Sequence, residues 1–174
     1  MKKLILFLSL VPILAQGQQF EFGANYGNTF DATVAVKLFH HLKAGVGYKY
    51  AKFTSTSIFG VTSQTKMSVP YGFIEYYIDL NKNEFYGGID VGKMYLMDLL
   101  PGLTYSSGNE YGVHAGYSRR IIKGLAANVQ VGFFYFHTKI SDNSVSGTTN
   151  SYGVFAPVTI GVHYVISPWR KKAK

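Results

Sequence analysis

The sequence contains no cysteine among its 174 residues. A disulfide scaffold, a thiolate metal site, a cysteine nucleophile and a lipidated N-terminal cysteine are therefore excluded. Charged residues are also scarce, at 15% of the chain against about 25% in typical soluble domains. No segment after the first residues approaches the run of about 18 apolar residues that a membrane-spanning helix needs. The sequence therefore predicts no transmembrane helix.

Aromatic residues and glycine are abundant. Aromatic residues make up 16% of the chain, with 14 Tyr and 13 Phe, and there are 19 Gly. This composition argues against disorder and against a coiled coil, and the length suits a single domain. The sequence contains no phosphate-binding loop, dinucleotide fingerprint or paired-carboxylate pattern. We therefore expect no cofactor and no metal.

Residues 1–17 have the features of a cleavable signal peptide. Two lysines form a basic start, residues 4–15 form an apolar stretch, and Ala15 and Gly17 supply small residues for cleavage. The stretch is short for a bilayer span, and a membrane-anchoring helix is the alternative. We expect an exported chain that begins near Gln18. For an exported chain without a basic helix or a stacking motif, we expect no nucleic-acid partner.

The last long segment, residues 151–166, alternates between two kinds of side chain. Every even position carries an apolar or aromatic residue, whereas the odd positions are mixed and include Ser151, Gly153 and His163. Successive side chains of a β-strand point to opposite faces, so the segment predicts a strand with one apolar face. Its length is unusual for a soluble strand, for which about 5–6 residues is common.

Seven earlier segments also show a period of two. In one of them, residues 67–78, Pro70, Gly72 and Glu75 disturb both phases, so the facing of Glu75 stays open. The sequence therefore predicts eight strands. They are residues 20–27, 32–38, 44–50, 67–78, 85–97, 111–121, 125–138 and 151–166.

The links between these segments alternate mostly between short and long, which is typical of transmembrane barrels. A membrane-crossing strand takes about 9–11 residues, so eight strands use about 80 residues and leave ample loop. Lipid requires closure, because an open edge leaves backbone groups unpaired. The predicted fold is an all-β, closed, antiparallel, eight-stranded transmembrane barrel, preceded by the signal peptide. The tight turns are residues 40–43, 79–84 and 122–124, and the longer loops are residues 59–65, 99–108 and 141–150.

Five charged residues fall on the face opposite to the apolar one. We place this charged face around the barrel interior, the lumen. Charges in a dry interior are unfavourable unless they pair with one another. We therefore expect an ion-pair network, with Glu21 and Lys37 as partners. The alternative is a soluble barrel whose charged face lies in solvent. The five residues are Glu21, Lys37, Lys49, Asp90 and Arg120.

Many tyrosines share the apolar parity of their strands, and several lie near strand ends. An aromatic ring with a polar tip suits the boundary between lipid tails and headgroups, where girdles of such residues flank transmembrane barrels. We expect an interfacial girdle, with ordinary core aromatics as the alternative. Its residues are Tyr26, Tyr48, Tyr50, Tyr95, Tyr111, Tyr117, Tyr135, Tyr152 and Tyr164.

The last segment also carries the pattern polar-x-Gly-x-x-aromatic-x-hydrophobic. With the eight alternating segments, this pattern makes residues 18–166 resemble the small bacterial outer-membrane β-barrels of the OmpA/OmpX-like family. The resemblance implies an outer-membrane location and a final strand that the barrel-assembly machinery reads as its signal. We expect the barrel domain over residues 18–167 and a basic periplasmic tail over residues 168–174. The signal residues are Thr159, Gly161, Tyr164 and Ile166.

An eight-stranded barrel is just wide enough for its interior side chains to fill, so we predict no wide pore. The function that fits best is structural or involves surface contact through the outward loops. A narrow channel or carrier for a small ligand is second. Modification of lipid A is third, because the candidate group of His137 with Ser141 or Ser144 and Asp142 does not reproduce a hydrolase pattern. We therefore predict that the chain is not an enzyme.

The net charge of +8 favours anionic surroundings. Four lysines near the loop-side ends of the strands are placed to meet lipopolysaccharide phosphates, with ordinary solvated lysines as the alternative. We expect outer-membrane lipid and lipopolysaccharide as partners, together with the assembly machinery and an extracellular partner of unknown identity. The four residues are Lys52, Lys66, Lys93 and Lys139.

Overall fold

A computed structural model describes residues 19–39, 41–56, 62–97, 103–142 and 147–166. Within these ranges, no helix is long and apolar enough to cross a membrane. The described residues form nine β-segments. In chain order they are β1 (Gln19–Gly27), β2 (Thr29–Phe39), β3 (Leu42–Thr56), β4 (Thr62–Leu80), β5 (Asn83–Met97), β6 (Leu103–Ile122), β7 (Leu125–Asp142), β8 (Gly147–Phe155) and β9 (Val158–Ile166).

The segments form one closed antiparallel sheet. Each segment from β1 to β6 pairs with the next one in chain order, and β9 pairs with both β7 and β1. The β1–β9 seam extends from Phe20 opposite Ile166 to Gly27 opposite Thr159. This seam closes the barrel, and the predicted all-β closed antiparallel architecture is confirmed.

β8 and β9 are two parts of one eighth barrel strand. Both pair with β7 in the same register, in which Phe134 is opposite Phe155 and Val131 is opposite Val158. The ladder is interrupted at Pro157, because proline has no backbone N–H to donate to β7. The Pro157 carbonyl still accepts the Gly132 N–H at 3.0 Å. The wall therefore has the eight strands that the sequence predicts.

Side chains alternate between an apolar exterior and a polar interior. Outward positions carry large apolar residues, such as Val46, Ile89 and Ile160, which are 57–67% exposed. Inward positions carry glycine and polar or charged residues, such as Lys49 and Asp90, which are 3–4% exposed. A soluble barrel buries its apolar face, so the alternative with the charged face in solvent is contradicted.

The facing of β4, which the sequence leaves open, follows the same rule. Its odd positions point inward, and Tyr71 and Glu75 are buried there. Its even positions point outward, where Ile74 and Ile78 are exposed. Glu75 therefore belongs to the lumen.

The two ends of the barrel differ. One end, which we call the turn end, contains the first and last described residues and the tight turns at 81–82 and 123–124. Asn81 (φ 61°) and Gly124 (φ 83°) adopt the left-handed backbone conformation in these turns. The opposite end, which we call the loop end, contains the turn at Asn28.

Strands extend further toward the loop end than the alternation predicts. β4 begins at Thr62 and β6 begins at Leu103, within the predicted loops 59–65 and 99–108. Parts of the third predicted loop, residues 141–150, also belong to β7 and β8. These extensions are rich in Ser and Thr, so the alternation of apolar and polar residues does not detect them. They remain extended because a neighbouring strand supplies backbone partners.

The packing of the seam can be tested at Gly161. A Cβ atom there would overlap the Ala24 carbonyl oxygen and Asn25 Oδ1 on β1, so Gly161→Ala is expected to lower the free energy of unfolding by about 1–3 kcal/mol. Gly72→Ala is the matched control, because its added Cβ lies 3.8 Å from the nearest atom, the Gly45 carbonyl oxygen. Urea unfolding of the refolded barrel in lipid vesicles measures both. Equal stability of the two variants would contradict the close approach at the seam.

Candidate functional site

Side chains from five strands converge on Lys43 in the half of the lumen nearer the turn end. Lys43 Nζ lies 2.8 Å from Glu21 Oε1 on β1 and 2.6 Å from Glu75 Oε2 on β4. His163 Nδ1 on β9 is 3.0 Å from Glu21 Oε1. His114 Nε2 on β6 is 3.0 Å from Glu75 Oε1. All five side chains are at most 8% exposed. We call this group the Lys43 cluster.

A second group, the Lys49 cluster, lies further toward the loop end. Lys49 Nζ pairs with Glu110 and lies 3.6 Å from Asp90 Oδ2. It also lies 3.3 Å from the centre of the Phe134 ring, which gives a cation–π contact. The charge of Lys49 is therefore surrounded by two carboxylates and an aromatic face.

Neutral and weakly basic groups complete the buried network. The Tyr71 hydroxyl donates to Asp31 at 2.7 Å, and the Asn25 amide donates to the same carboxylate at 3.5 Å. His114 Nδ1 lies 3.8 Å from Asp90 Oδ2 and so connects the two clusters. Among the described residues, buried carboxylates outnumber buried lysines. Hydroxyl, amide and imidazole donors therefore supply contacts that cations alone do not.

The structure separates the five residues predicted for the network. Glu21, Lys49 and Asp90 are buried in the two clusters. Lys37 lies nearer the turn end, with 10% of its side chain exposed. Arg120 also lies at the turn end, and 55% of its side chain is exposed. Arg120 is therefore outside the buried network, because the inward face of its strand opens to solvent there.

The expected pairing of Glu21 with Lys37 is not present. Across β1 and β2, Glu21 is opposite Ala35, and Lys37 is opposite Gln19. Lys37 pairs instead with Glu84 on β5, and the partners of Glu21 belong to the Lys43 cluster. In a narrow lumen, ion pairs form across the diameter as well as between neighbouring strands. The residue pattern of one strand does not show which partner a charged residue takes.

Three charged residues of the clusters are absent from the predicted network. Lys43 lies in the segment assigned to a turn, residues 40–43, and the facing of Glu75 is open in the sequence. Glu110 directly precedes the predicted strand 111–121. Continuing the even-numbered inward positions of that strand by one step includes Glu110, and this signal was available in the sequence.

Two cavities in the lumen adjoin the Lys43 cluster. At the turn end, a cavity of about 440 Å³ is lined by charged side chains that include Lys37, Asp79 and Arg120. A second cavity, lined by the Lys43 cluster together with Asp31 and Tyr71, has about 10 Å³, at most the room for one water. Toward the loop end, Met67 and Met94 are fully buried in an apolar layer. Within the described ranges, ionic and then apolar side chains therefore close the lumen.

The nine tyrosines predicted for the girdle occupy outward positions. Tyr50 and Tyr117 are half-buried, and the Tyr117 hydroxyl donates to Asn83 Oδ1 at 2.7 Å near the turn end. Phe30 on β2 is directly opposite Tyr26 on β1 and Tyr50 on β3, so these three aromatic residues form a row. The other seven tyrosines are 40–71% exposed: Tyr26, Tyr48, Tyr95, Tyr111, Tyr135, Tyr152 and Tyr164.

His137, the centre of the candidate catalytic group, lies on the outer face of the wall. Its ring stacks on Tyr152 with centroids 4.7 Å apart, and its Nε2 is 3.4 Å from Asn150 Oδ1. The side chains of the serines and the aspartate considered as its partners lie outside the described residues. The contacts of His137 are those of a cross-strand aromatic pair. In the described part of the chain, no three metal-ligating side chains are grouped to hold a metal.

The residues of the predicted assembly signal lie on β9. Thr159 and Gly161 face the lumen, whereas Tyr164 and Ile166 face outward and are about half exposed. β9 pairs with both β7 and β1. These residues therefore lie in the strand that closes the barrel.

The arrangement of strands is similar to that of solved outer-membrane barrels. OprG from Pseudomonas aeruginosa matches with a TM-score of 0.62 at 13% identity, over 87% of this chain and 97% of that chain. AlkL matches with a TM-score of 0.57 at 12% identity, over 89% and 92% of the two chains. Neisserial surface protein A matches with a TM-score of 0.54 at 13% identity, over 84% and 93%. No protein-family profile matches the sequence, and a search of curated proteins finds no match.

At these identities the likeness shows the fold alone. The surroundings of the barrel follow instead from the chemistry of its two faces. A wall of exposed aliphatic and aromatic residues around a charged lumen requires lipid outside. Closed barrels of this kind span the outer membranes of bacteria. The fold and its apolar exterior together indicate an integral outer-membrane barrel.

The Lys49 cluster can be tested by removing its cation. Lys49→Met keeps most of the length of the side chain but removes the cation that pairs with Glu110 and Asp90, so the unfolding free energy is expected to fall by about 3–5 kcal/mol. Lys52→Met, at an exposed outward position of the same strand, is the control and should change it by less than about 0.5 kcal/mol. Urea unfolding measures both. Wild-type stability of Lys49→Met would show that the buried ion pairs do not hold the barrel.

Proposed function

We propose that this protein is a structural barrel of the bacterial outer membrane that makes surface contacts at its loop end and has no wide pore. The observation that supports the proposal most is the filled lumen, where the cavity beside the Lys43 cluster and Tyr71 has only about 10 Å³ and Met67 and Met94 are fully buried in the layer beyond it. A barrel without a path for solutes acts through its wall and its ends. The strand extensions place much of the chain at the loop end.

The proposal includes an orientation in the membrane. Transmembrane barrels have short turns on the periplasmic side and longer loops outside, so we assign the turn end to the periplasm. In this assignment residues 1–17 are removed on export, residues 18–167 form the barrel, and residues 168–174 form a basic periplasmic tail. Residues 1–18 and 167–174 lie outside the described ranges.

Outer-membrane lipid is the partner for the wall. We assign the outward tyrosines to the two headgroup boundaries, where their hydroxyl groups reach water. Lys52, Lys93 and Lys139 are exposed at outward positions, and Lys66 is directly opposite Lys52 on the neighbouring strand. Such positions suit contact with lipopolysaccharide phosphates.

Assembly of the barrel is proposed to depend on β9. This segment pairs with both β1 and β7 and so closes the barrel. Four of its residues match the pattern of an assembly signal: Thr159, Gly161, Tyr164 and Ile166. The expected partner is the barrel-assembly machinery.

A carrier for a small ligand is the second candidate function. The 440 Å³ cavity at the turn end favours it, because charged side chains line an opening large enough for a small polar molecule. Passage through the barrel would require both ionic clusters to separate. An enzymatic role has weaker support, because the described contacts of His137 are an aromatic ring and an amide.

Liposome swelling distinguishes the two candidates. Vesicles containing the refolded barrel are expected to show no swelling in arabinose above that of lipid alone, because the lumen is closed. Vesicles containing a wide porin are the positive control, and heat-dependent migration on a detergent gel verifies that the barrel is folded. Swelling by the folded wild-type barrel would contradict the proposal and favour the carrier.

A further inference from the structure

We propose that the turn end of the wall binds an anionic phospholipid through Arg119, with Lys82 and Lys123 as flanking cations. The ligand chemistry is a phosphodiester headgroup attached to acyl chains. This inference rests on the proposed outer-membrane function and its orientation, in which the turn end lies in the periplasmic leaflet. That leaflet consists of phospholipid, whereas lipopolysaccharide occupies the outer one.

Arg119 is a charged residue on the lipid-facing side of the wall. It lies on β6, where odd-numbered residues face outward, and its side chain is exposed. Among the described outward positions in the half of the wall nearer the turn end, Arg119 alone carries a charge. The exposed outward lysines Lys52, Lys93 and Lys139 lie toward the loop end. A charge on this face is unfavourable unless it reaches the headgroup boundary or meets an anion.

The neighbours of Arg119 on the wall supply no anion. Arg119 lies directly opposite Asn83 on β5 and Ala127 on β7. Tyr117 and Ile121 are the outward residues before and after it on β6. Asn83 Oδ1 already accepts the Tyr117 hydroxyl at 2.7 Å. Within the described ranges, no carboxylate pairs with Arg119, so its guanidinium has donors for a partner from outside the chain.

Two further cations flank Arg119 at the rim. Lys82 directly precedes Asn83, and its carbonyl accepts the Arg120 N–H at 2.7 Å, so the β4–β5 turn lies beside the end of β6. Lys123 directly follows β6. Both lysines are exposed and also border the turn-end cavity. Among the residues that the structure describes, neither lysine pairs with a carboxylate.

The nearby carboxylates face the lumen and have other partners. Asp79 Oδ2 lies 3.9 Å from Arg120 Nη2, on the inward side of the rim. Glu84 pairs with Lys37 across the lumen. The outer side of the rim at Arg119 therefore keeps an uncompensated positive charge. Such a charge attracts anionic lipid headgroups.

The surroundings of Arg119 favour a lipid over a soluble anion. An arginine binds a phosphate through two parallel N–H···O bonds, which fix the position of the headgroup. Acyl chains below that phosphate meet an apolar surface, because large aliphatic and aromatic side chains cover the same sector of the wall. They are 48–62% exposed: Leu80, Phe85, Ile121 and Ile122. A phospholipid has both the phosphate and the acyl chains that this sector accommodates.

Fluorescence quenching by brominated lipid tests this binding. With the single tryptophan replaced by Trp169→Phe, Phe85→Trp places one reporter on β5 opposite Tyr117, close to Arg119 on the outer face. Vesicles of phosphatidylcholine receive a small fraction of brominated phosphatidylglycerol or the same fraction of brominated phosphatidylcholine. At this reporter we expect phosphatidylglycerol to be enriched at least about threefold over phosphatidylcholine, because several cations attract one anionic headgroup.

Val34→Trp on β2 is the control reporter. Val34 is an exposed outward residue, and β2 lies on the far side of the barrel from β5 and β6. The ratio of quenching by the two brominated lipids does not depend on the depth of the reporter, and it should be near one here. Equal enrichment at both reporters would show a general attraction for anionic lipid, and enrichment at neither would show no binding. Either result overturns the proposal.

Two adjacent arginines separate an outward site from the total charge of the rim. Arg119→Gln is expected to lower the enrichment at the β5 reporter by at least about half, and adding Lys82→Gln and Lys123→Gln should abolish it. Arg120→Gln removes the same charge on the lumen side and should leave the enrichment nearly unchanged. Equal loss in the two arginine variants would overturn the proposal. Heat-dependent migration on a detergent gel verifies that each variant is folded.

Lipid A is the other source of phosphate joined to acyl chains. Unbrominated phosphatidylglycerol and unbrominated lipid A, added at equal phosphate, compete with the brominated phosphatidylglycerol. Stronger displacement by phosphatidylglycerol is expected, and stronger displacement by lipid A would overturn the assignment to a phospholipid. Failure of this site and failure of the proposed function are distinguishable, because liposome swelling reports on the lumen and lipid quenching reports on the wall.

Discussion

A strand in lipid has no water to pair its backbone groups, and this constraint explains the architecture of the whole chain. Every strand in the apolar part of the wall has two neighbours, and β9 supplies the last pairing by joining β7 to β1. Even Pro157, which cannot donate, still accepts a hydrogen bond from Gly132. β8 lies beyond the β1–β2 turn at the loop end, where it pairs with β7 alone among the described residues.

Closure places the polar face of every strand in a narrow lumen, so the charges there have to satisfy one another. Lys43 pairs closely with Glu21 and Glu75, Lys49 pairs with two further carboxylates, and His114 lies between their clusters. Inward glycines provide the space, as at Gly112, where a Cβ atom would overlap Asp90 and Phe134. The same side chains that satisfy these charges also fill the lumen, which links the stability of the barrel to its proposed lack of a pore.

Alternation predicts the number of strands and the facing of most of them, because lipid outside and polar contacts inside impose one rule on every residue. It fails where that rule does not apply. Thr62 and Leu103 begin strands in segments rich in Ser and Thr, and Pro70 and Gly72 obscure the phase of β4. Ion-pair partners are harder still, because Lys43 reaches Glu21 on a strand that is not its neighbour. Tilt and curvature decide such pairs, and neither can be read from a single strand.

The apolar face of the wall meets lipid, and the charged face lines the lumen. Replacing the single tryptophan, Trp169, with phenylalanine gives a background in which one introduced tryptophan reports its surroundings. In vesicles of lipids with brominated acyl chains, Ile89→Trp at an exposed outward position should lose most of its fluorescence, and Tyr86→Trp at a buried inward position should keep most of it. Equal quenching of the two variants, or stronger quenching of Tyr86→Trp, would contradict this assignment of the two faces.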